Sequence, residues 1–302
     1  MFSGGIGSWA AGRRVVDGGT VMTEVLFTDT LIEDEDLYRF LIEGAADLLD
    51  LPVPQELRPL WLSIPPLEEG RARKQHLIKL AAKATAALPG LRWIIEGRTP
   101  WEVFHDQRFL GNSGLAKCSM ELKQKPARRW LEKHCFPHKT TIYLGIDWRG
   151  RHRFEGRDGQ GGSRNHYLPW RAEAPLCNRP YESKHEWIAA LERRGIDPPR
   201  LYDLGFPHNN CGGFCVKSGM VNFKRLLKAM PERYDYHARQ EDYLRRKLGN
   251  VAILTDRRNR DKIPLNLIDF RSRVENGERC DPLDHGGCGC FTDYESADEV
   301  TR

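Results

Sequence analysis

Residues able to do chemistry fall into four groups in this sequence. The first is the run Ser3-Gly4-Gly5-Ile6-Gly7-Ser8. Its glycines leave backbone amides unobstructed by Cβ atoms, Ser3 and Ser8 add hydroxyl donors, and a helix over 9–16 would aim its dipole at the turn. The chemistry implied is a phosphate seat; a plain surface turn is the alternative. The second group is cysteine set among glycines, in Cys211-Gly212-Gly213-Phe214-Cys215 and Gly286-Gly287-Cys288-Gly289-Cys290. Glycine permits tight turns in which two sulfurs face one metal. Cys211, Cys215, Cys288 and Cys290 therefore make a four-thiolate set, suited to a [4Fe–4S] cluster or alternatively to Zn²⁺. Buried thiols without a metal would leave the paired glycines unexplained. The third is Cys118 at a helix start with Lys117, Lys123 and Lys125 nearby, where a thiol is driven toward a reactive thiolate; a half-buried structural cysteine is the alternative. The fourth is the basic cluster Arg149, Arg151 and Arg153, which falls at the end of a strand. Cys135, Cys177 and Cys280 show no pairing and read as structural.

The elements that must position these groups follow from pattern and punctuation. After the glycine turn, residues 24–29 are rich in strand formers and end in Asp29. A helix with acids over its first turn follows at 37–42. Asp29 at a strand end could bind a ribose hydroxyl or a metal ion, or simply cap the next helix. Prolines mark 51–66 as a connector, and 71–88 reads as an Ala/Lys-rich surface helix. A strand at 92–95 precedes a helix opening at Pro100. A basic amphipathic helix covers 118–135, and the clearest strand of the middle third runs over 140–147 into the basic cluster. Residues 156–165 read as a mobile basic loop, either closing on a substrate or merely solvated. A strand at 170–176 and a helix over 183–194, capped by Ser183 and Glu186, follow. Helical segments span 216–248, then come a strand at 251–254 and a helix at 266–276. The opening order of turn, helix, strand and helix predicts a parallel α/β sheet, with ligands at the carboxyl ends of its strands.

Composition bounds the answer. A chain of 302 residues can bury a full core. No apolar run approaches the roughly 20 residues a membrane helix needs, and no secretory signal is visible, which predicts a cytoplasmic protein with no membrane partner. The net charge of +5 permits contact with nucleic acid without demanding it. Eight cysteines without a secretory signal argue for metal binding or thiol chemistry rather than disulfides.

With these residues in view, the chain resembles the PP-loop ATP pyrophosphatases, specifically their phosphoadenosine-phosphosulfate reductase-like branch. That branch includes enzymes that insert sulfur into DNA backbones and into tRNA. Ser3-Gly4-Gly5-Ile6-Gly7-Ser8 matches its SGGxxS loop, and Phe27-Thr28-Asp29-Thr30 its second strand end. Cys118-Ser119-Met120-Glu121-Leu122-Lys123 is similar to its cysteine-to-lysine motif, and Leu144-Gly145-Ile146-Asp147-Trp148-Arg149 to its Leu-Gly-x-Arg strand end. The resemblance covers roughly residues 1–175. It implies a parallel-sheet α/β/α sandwich, like the adenine nucleotide alpha hydrolases, over 1–175. A smaller, mainly helical, cysteine-rich metal-binding region would occupy 176–302. It also implies cleavage of ATP between its α- and β-phosphates, with Mg²⁺ offsetting phosphate charge and AMP passing to a substrate oxygen that sulfur then displaces. Ser3, Gly4, Gly5, Gly7, Ser8, Asp29, Arg151 and Arg153 would bind the nucleotide. Cys118, Asp29 and Arg149 would act in catalysis, with Cys118 a sulfur carrier or cluster ligand. The chain departs from the pattern in three ways. Only Met1 and Phe2 precede the loop, where a full strand is expected. Gly7 stands where many relatives carry Asp, and the Glu-Cys-Gly tail of assimilatory sulfonucleotide reductases is absent.

These observations predict an AMP-forming ATP pyrophosphatase that adenylates a nucleic acid or nucleotide for sulfur transfer, fed by a donor such as a cysteine desulfurase. The first alternative is a sulfonucleotide reductase, which needs a nucleophilic cysteine. The second is a non-catalytic nucleotide-binding subunit with a structural metal. No nucleic-acid-binding module is recognisable, so a DNA or RNA substrate rests on the resemblance.

Overall fold

Hydrophobic periodicity and capping explain most of the helices. The computed structural model describes residues 1–112, 115–156, 161–256, 258, 262–282, 284 and 286. Helix α1 (Ile6–Asp17) starts at the glycine turn and buries Ile6, Trp9, Ala10, Ala11 and Val15. Strand β1 (Val25–Asp29) is buried throughout. Helix α2 (Glu35–Leu48) begins where the Asp34 side chain accepts from the Asp36 amide, with Glu35 and Asp36 over its first turn. The proline-rich connector carries the short helix α3 (Arg58–Leu62). Helix α4 (Gly70–Ala87) is no surface element: Leu77, Leu80, Ala81, Ala84 and even Arg73 are buried.

Strand β2 (Leu91–Ile95) pairs parallel with β1, Phe27 opposite Trp93. Helix α5 (Pro100–Asp106) has a full capping box between Thr99 and Glu102. Helix α6 (Lys117–Ser119) runs through a π-helical turn over Met120–Gln124 into α7 (Lys125–His134). The strand expected over 140–147 pairs only as β3 (Thr141–Tyr143). Gly145 then lies against α1, and Asp147 opens a tight turn by accepting from the Gly150 amide. Helix α8 (Arg151–Glu155) follows, then α9 (Gly162–His166), a helix where a loop was expected. Strand β4 (Arg171–Glu173) pairs parallel with β3 and stops before Pro175, which has no amide to donate.

In the last third, Ser183 and Glu186 form the expected capping box of α10 (Lys184–Glu192). Helices α11 (Arg200–Asp203), α12 (Met220–Ala229) and α13 (Pro231–Leu248) follow. Strands β5 (Leu254–Asp256) and β6 (Ile263–Leu265) form an antiparallel pair, of which β6 was not foreseen. Helix α14 (Leu267–Glu275) completes the described chain.

The architecture is therefore mixed α/β, rich in helix, with short strands. In place of one continuous sheet, the described strands form three two-stranded sheets, two parallel and one antiparallel. Met1 and Phe2 lie between the two parallel pairs. The Phe2 amide donates to the Leu26 carbonyl at 2.8 Å, and the Met1 amine to the Tyr143 carbonyl at 2.9 Å.

Three apolar cores result. The first joins α1, β1, α2 and α4, and takes Trp187 and Leu191 from α10. The second joins Phe214 and helices α12 to α14, and takes Trp101 and Phe104 from α5. The third packs Ile142, Phe154, Tyr167 and Trp170 around β3 and β4. Among the described residues, no helix is long and apolar enough to cross a membrane.

Gly145 sets the contact between β3 and the glycine turn. A Cβ there would lie 2.5 Å from Ser8 Cα and 2.6 Å from Ser8 N, so backbone would have to move. Gly145→Ala is expected to cost about 1–3 kcal/mol of stability. Gly70→Ala, whose Cβ would meet nothing within 4 Å, should leave urea unfolding unchanged or slightly stabilised. Equal midpoints for wild type and Gly145→Ala would refute the contact.

Candidate functional site

The glycine turn is closed on itself and covered from the C-terminal half. Gly4 has φ +75°, a left-handed conformation that suits glycine, and its missing side chain gives Leu37 its place. The Ser8 hydroxyl donates to the Gly5 carbonyl at 2.7 Å and accepts from the Ser3 amide at 3.1 Å and the Ser3 hydroxyl at 3.2 Å. An anion at this turn would therefore meet backbone amides and the start of α1 rather than two idle hydroxyls. From 200 residues away, the Asn209 amide group donates to the Gly4 carbonyl at 2.7 Å, and the Tyr202 hydroxyl accepts from the Ile6 amide at 3.3 Å. Asn209 is almost wholly buried and its Oδ1 has no partner among the described residues.

Cationic groups border this turn. Lys184, the first residue of α10, has its ammonium 5.9 Å from the Tyr202 ring and also donates to the Pro207 carbonyl. Burial holds its pKa below the usual lysine value; the neighbouring Arg149 adds to that and Asp147 opposes it. The Arg149 guanidinium lies 4.9 Å from the Trp148 ring centroid. Arg151 reaches instead to the Cys177 carbonyl and to Glu155 at 3.2 Å. The Arg153 guanidinium packs over Gly150.

Asp29 works inside the fold. Its Oδ1 accepts from the Leu31 amide at 2.7 Å and the Tyr38 hydroxyl at 3.1 Å, and its Oδ2 from Trp93 Nε1 at 3.0 Å. The bond to Leu31 holds that residue at φ 65°, a left-handed conformation costly for leucine. Asp29 thus ties down the turn after β1, while the cap of the next helix, one of the roles read for it, is supplied by Asp34.

Beyond that turn lies a charged hub that sequence reasoning missed. Glu33, fully buried, accepts from Thr30 Oγ1 at 3.0 Å, from Lys123 Nζ at 3.2 Å, and from the Cys211 amide. Arg73 donates to the Leu31 and Glu33 carbonyls and to Glu35 at 2.7 Å. Arg200 forks onto Asp34 with both bonds at 2.8 Å. Arg233 joins Glu35 to the Ile32 carbonyl. Against the penalty of burial, Arg233 and Arg73 hold the Glu35 carboxyl down at about 2. In the sequence the acids read as the first turn of α2, and their partners are scattered over 160 positions; only the density of acids hinted at a hub.

The cysteines separate. Cys118 packs half-buried against the second core. Of the lysines expected to activate it, Lys117 lies over the Phe109 ring, Lys123 pairs with Glu33 and Lys125 with Glu121. Cys211 and Cys215 are buried, and Cys211 and Gly212 are both left-handed, at φ 53° and 58°. Cys288 and Cys290 lie outside the described residues. Gly286, two positions before Cys288, forms an antiparallel bridge with Ser218, three positions after Cys215. Asp284 fixes the same segment by accepting from the Met220 amide at 3.0 Å. Among the described residues, no three His, Cys, Asp or Glu side chains group as metal ligands.

No family model, curated protein or solved structure matches this chain.

Burial pushes the Asp29 carboxyl up to about 6, with its three hydrogen bonds opposing and Glu33 adding to the rise. A folded pKa above the unfolded value of about 4 means the native state binds the proton more tightly. That contribution is complete below the unfolded pKa and is lost as pH rises through about 6. The stability of wild type relative to Asp29→Asn should therefore fall by on the order of 2 kcal/mol between pH 4 and pH 7. Parallel urea-unfolding profiles across that range would count against it.

Proposed function

We propose that the chain is an ATP pyrophosphatase of the phosphoadenosine-phosphosulfate reductase-like kind, which adenylates a nucleic acid or nucleotide for sulfur transfer. One observation supports this most. Residues 202–211 touch both the glycine turn, through Tyr202 and Asn209, and the loop after β1, through the Cys211 amide. The expected phosphate seat and the first cysteine pair therefore share one wall, although 200 residues separate them. The family's sandwich would correspond here to the two parallel strand pairs held together across Met1 and Phe2.

On this reading the amides of the glycine turn hold the ATP phosphates and the dipole of α1 favours their charge. Lys184 and Arg149 offset the charge that develops on pyrophosphate. Mg²⁺ arrives with the nucleotide as part of the substrate. A [4Fe–4S] cluster, or zinc, would be held by Cys211, Cys215, Cys288 and Cys290. The donor set suits either metal, and Gly286 bridges Ser218, three positions after Cys215. When bound, an iron–sulfur cluster would supply an exchangeable sulfide, replenished by a donor such as a cysteine desulfurase. The reductase alternative needs Cys118 as nucleophile, a residue that packs half-buried against the second core. A non-catalytic nucleotide-binding subunit is favoured by the closed Ser3–Ser8 pair and by the engagement of Asp29 inside the fold.

Protein given ATP, Mg²⁺ and nucleic acid should release pyrophosphate. Lys184→Ala should weaken ATP binding by about tenfold, as expected for one charge-assisted phosphate contact, with an unchanged circular dichroism spectrum. Release of ADP and phosphate would overturn the reading. ATP binding with no turnover on any nucleic acid would shift it to the non-catalytic subunit. Anaerobic protein should show thiolate–iron absorption that Cys211→Ser abolishes; zinc alone on metal analysis would select the structural metal.

A further inference from the structure

Beside the glycine turn stands a set of exposed rings and guanidinium groups that none of the three cores uses. Trp148 is 39% exposed and Tyr181 49% exposed, large values for aromatic side chains. Their ring centroids are 5.5 Å apart at a tilt of 38°. Each ring carries a cation: the Arg149 guanidinium lies 4.9 Å from the Trp148 ring and that of Arg179 lies 5.8 Å from the Tyr181 ring. No carboxylate among the described residues forms an ion pair with either arginine, whereas Arg14 and Arg151 nearby are both paired.

The platform is held firmly against the candidate nucleotide seat. Arg14 of α1 donates to the carbonyls of Pro175, Asn178 and Pro180 at 2.8–3.0 Å and pairs with Glu182 at 2.9 Å. It therefore fastens the segment bearing Tyr181 to the helix that begins at the turn. Trp148 follows Gly145, whose backbone touches Gly7 and Ser8. Aromatic rings exposed to this degree, interleaved with guanidinium groups outside any ion pair, supply the chemistry that stacks unpaired bases and neutralises a phosphate backbone. A duplex, whose bases are stacked on one another, offers these rings no base face.

We propose that Trp148 and Tyr181, with Arg149 and Arg179, form a stacking platform for an unpaired base of single-stranded nucleic acid beside the glycine turn. The inference rests on the proposed nucleotide reading only for what the strand would be doing there; binding itself does not require ATP.

Fluorescence anisotropy with labelled 12-nucleotide DNA and RNA strands of one sequence, their duplex, and two salt concentrations tests this without ATP. Single strands should bind more tightly than duplex, and the DNA and RNA arms identify which sugar is preferred. Trp148→Ala and Tyr181→Ala should each weaken binding at least about fivefold, while Trp148→Phe retains most of it. Replacing Arg149 and Arg179 by Ala should lower the salt dependence. Equal binding of duplex, unchanged affinity in both aromatic variants, or displacement of the strand by equimolar ATP would overturn the proposal, the last assigning the rings to adenine. ATP affinity, measured separately with Lys184→Ala, tells failure of the nucleotide reading apart from failure of the platform.

Discussion

A carboxylate with no access to water holds this molecule's distant segments together. Glu33 gives up hydration entirely, and an isolated buried charge would cost several kcal/mol. It persists because three donors from three places meet it: Thr30 beside it, Lys123 from the helix after Cys118, and the amide of Cys211. Lys123 is itself almost fully buried, so neither charge can move away without stranding the other. The surrounding Arg73, Arg200 and Arg233 draw Asp34 and Glu35 into the same network. The loop after β1 becomes the point where the first and second cores are pinned to each other. A buried network of this kind specifies one arrangement, since any slip leaves an uncompensated charge.

That pinning decides where the functional candidates lie. Arg200 is anchored on Asp34, so α11 cannot drift, and Tyr202 two residues on reaches the Ile6 amide. Asn209 then meets Gly4, and Cys211 ends the run on Glu33. The left-handed backbone at Cys211 is unfavourable for a residue with a Cβ. Its amide bond to Glu33 and the close approach of Gly212 to Arg233 over-determine it. The strained Cys211 is thus fixed by Glu33, and the neighbouring Asp34 anchors Arg200 and with it the segment that reaches the glycine turn.

What the sequence disclosed was local. The Ser183–Glu186 box, Pro100 opening α5, the acids of α2 and the glycine turn before α1 each act within a few residues and appear in the fold as read. Long-range choices were not visible. The strand over 140–147 is cut to three residues because Gly145 must meet α1, a contact between positions 137 residues apart. Helix α4 reads as solvated from its lysines, yet its opposite stripe fills the first core and its Arg73 serves the hub. Lys123 reads as an activator of Cys118, but the π-helical turn over Met120–Gln124 swings it to Glu33. Tyr202, Asn209 and Lys184 carry no motif at all; only packing brings them to the turn.

Gly7 shows how one such contact bears on chemistry. A side chain there would begin 3.4 Å from the Gly145 carbonyl and 3.8 Å from the Trp187 ring. These are ordinary contact distances, so packing does not force glycine there; what Gly7 withholds is a carboxylate at the turn. On the proposed reading, phosphate charge at the turn must be met by cations instead of through a carboxylate-held metal at residue 7. Lys184, packed on Tyr202 and Pro207 of the 202–211 segment, and the neighbouring Arg149 are the cations that reading would use, with Asp147 beside them. The same arginine also flanks Trp148, so the cation that would offset a leaving pyrophosphate sits at the edge of the surface that would present the substrate.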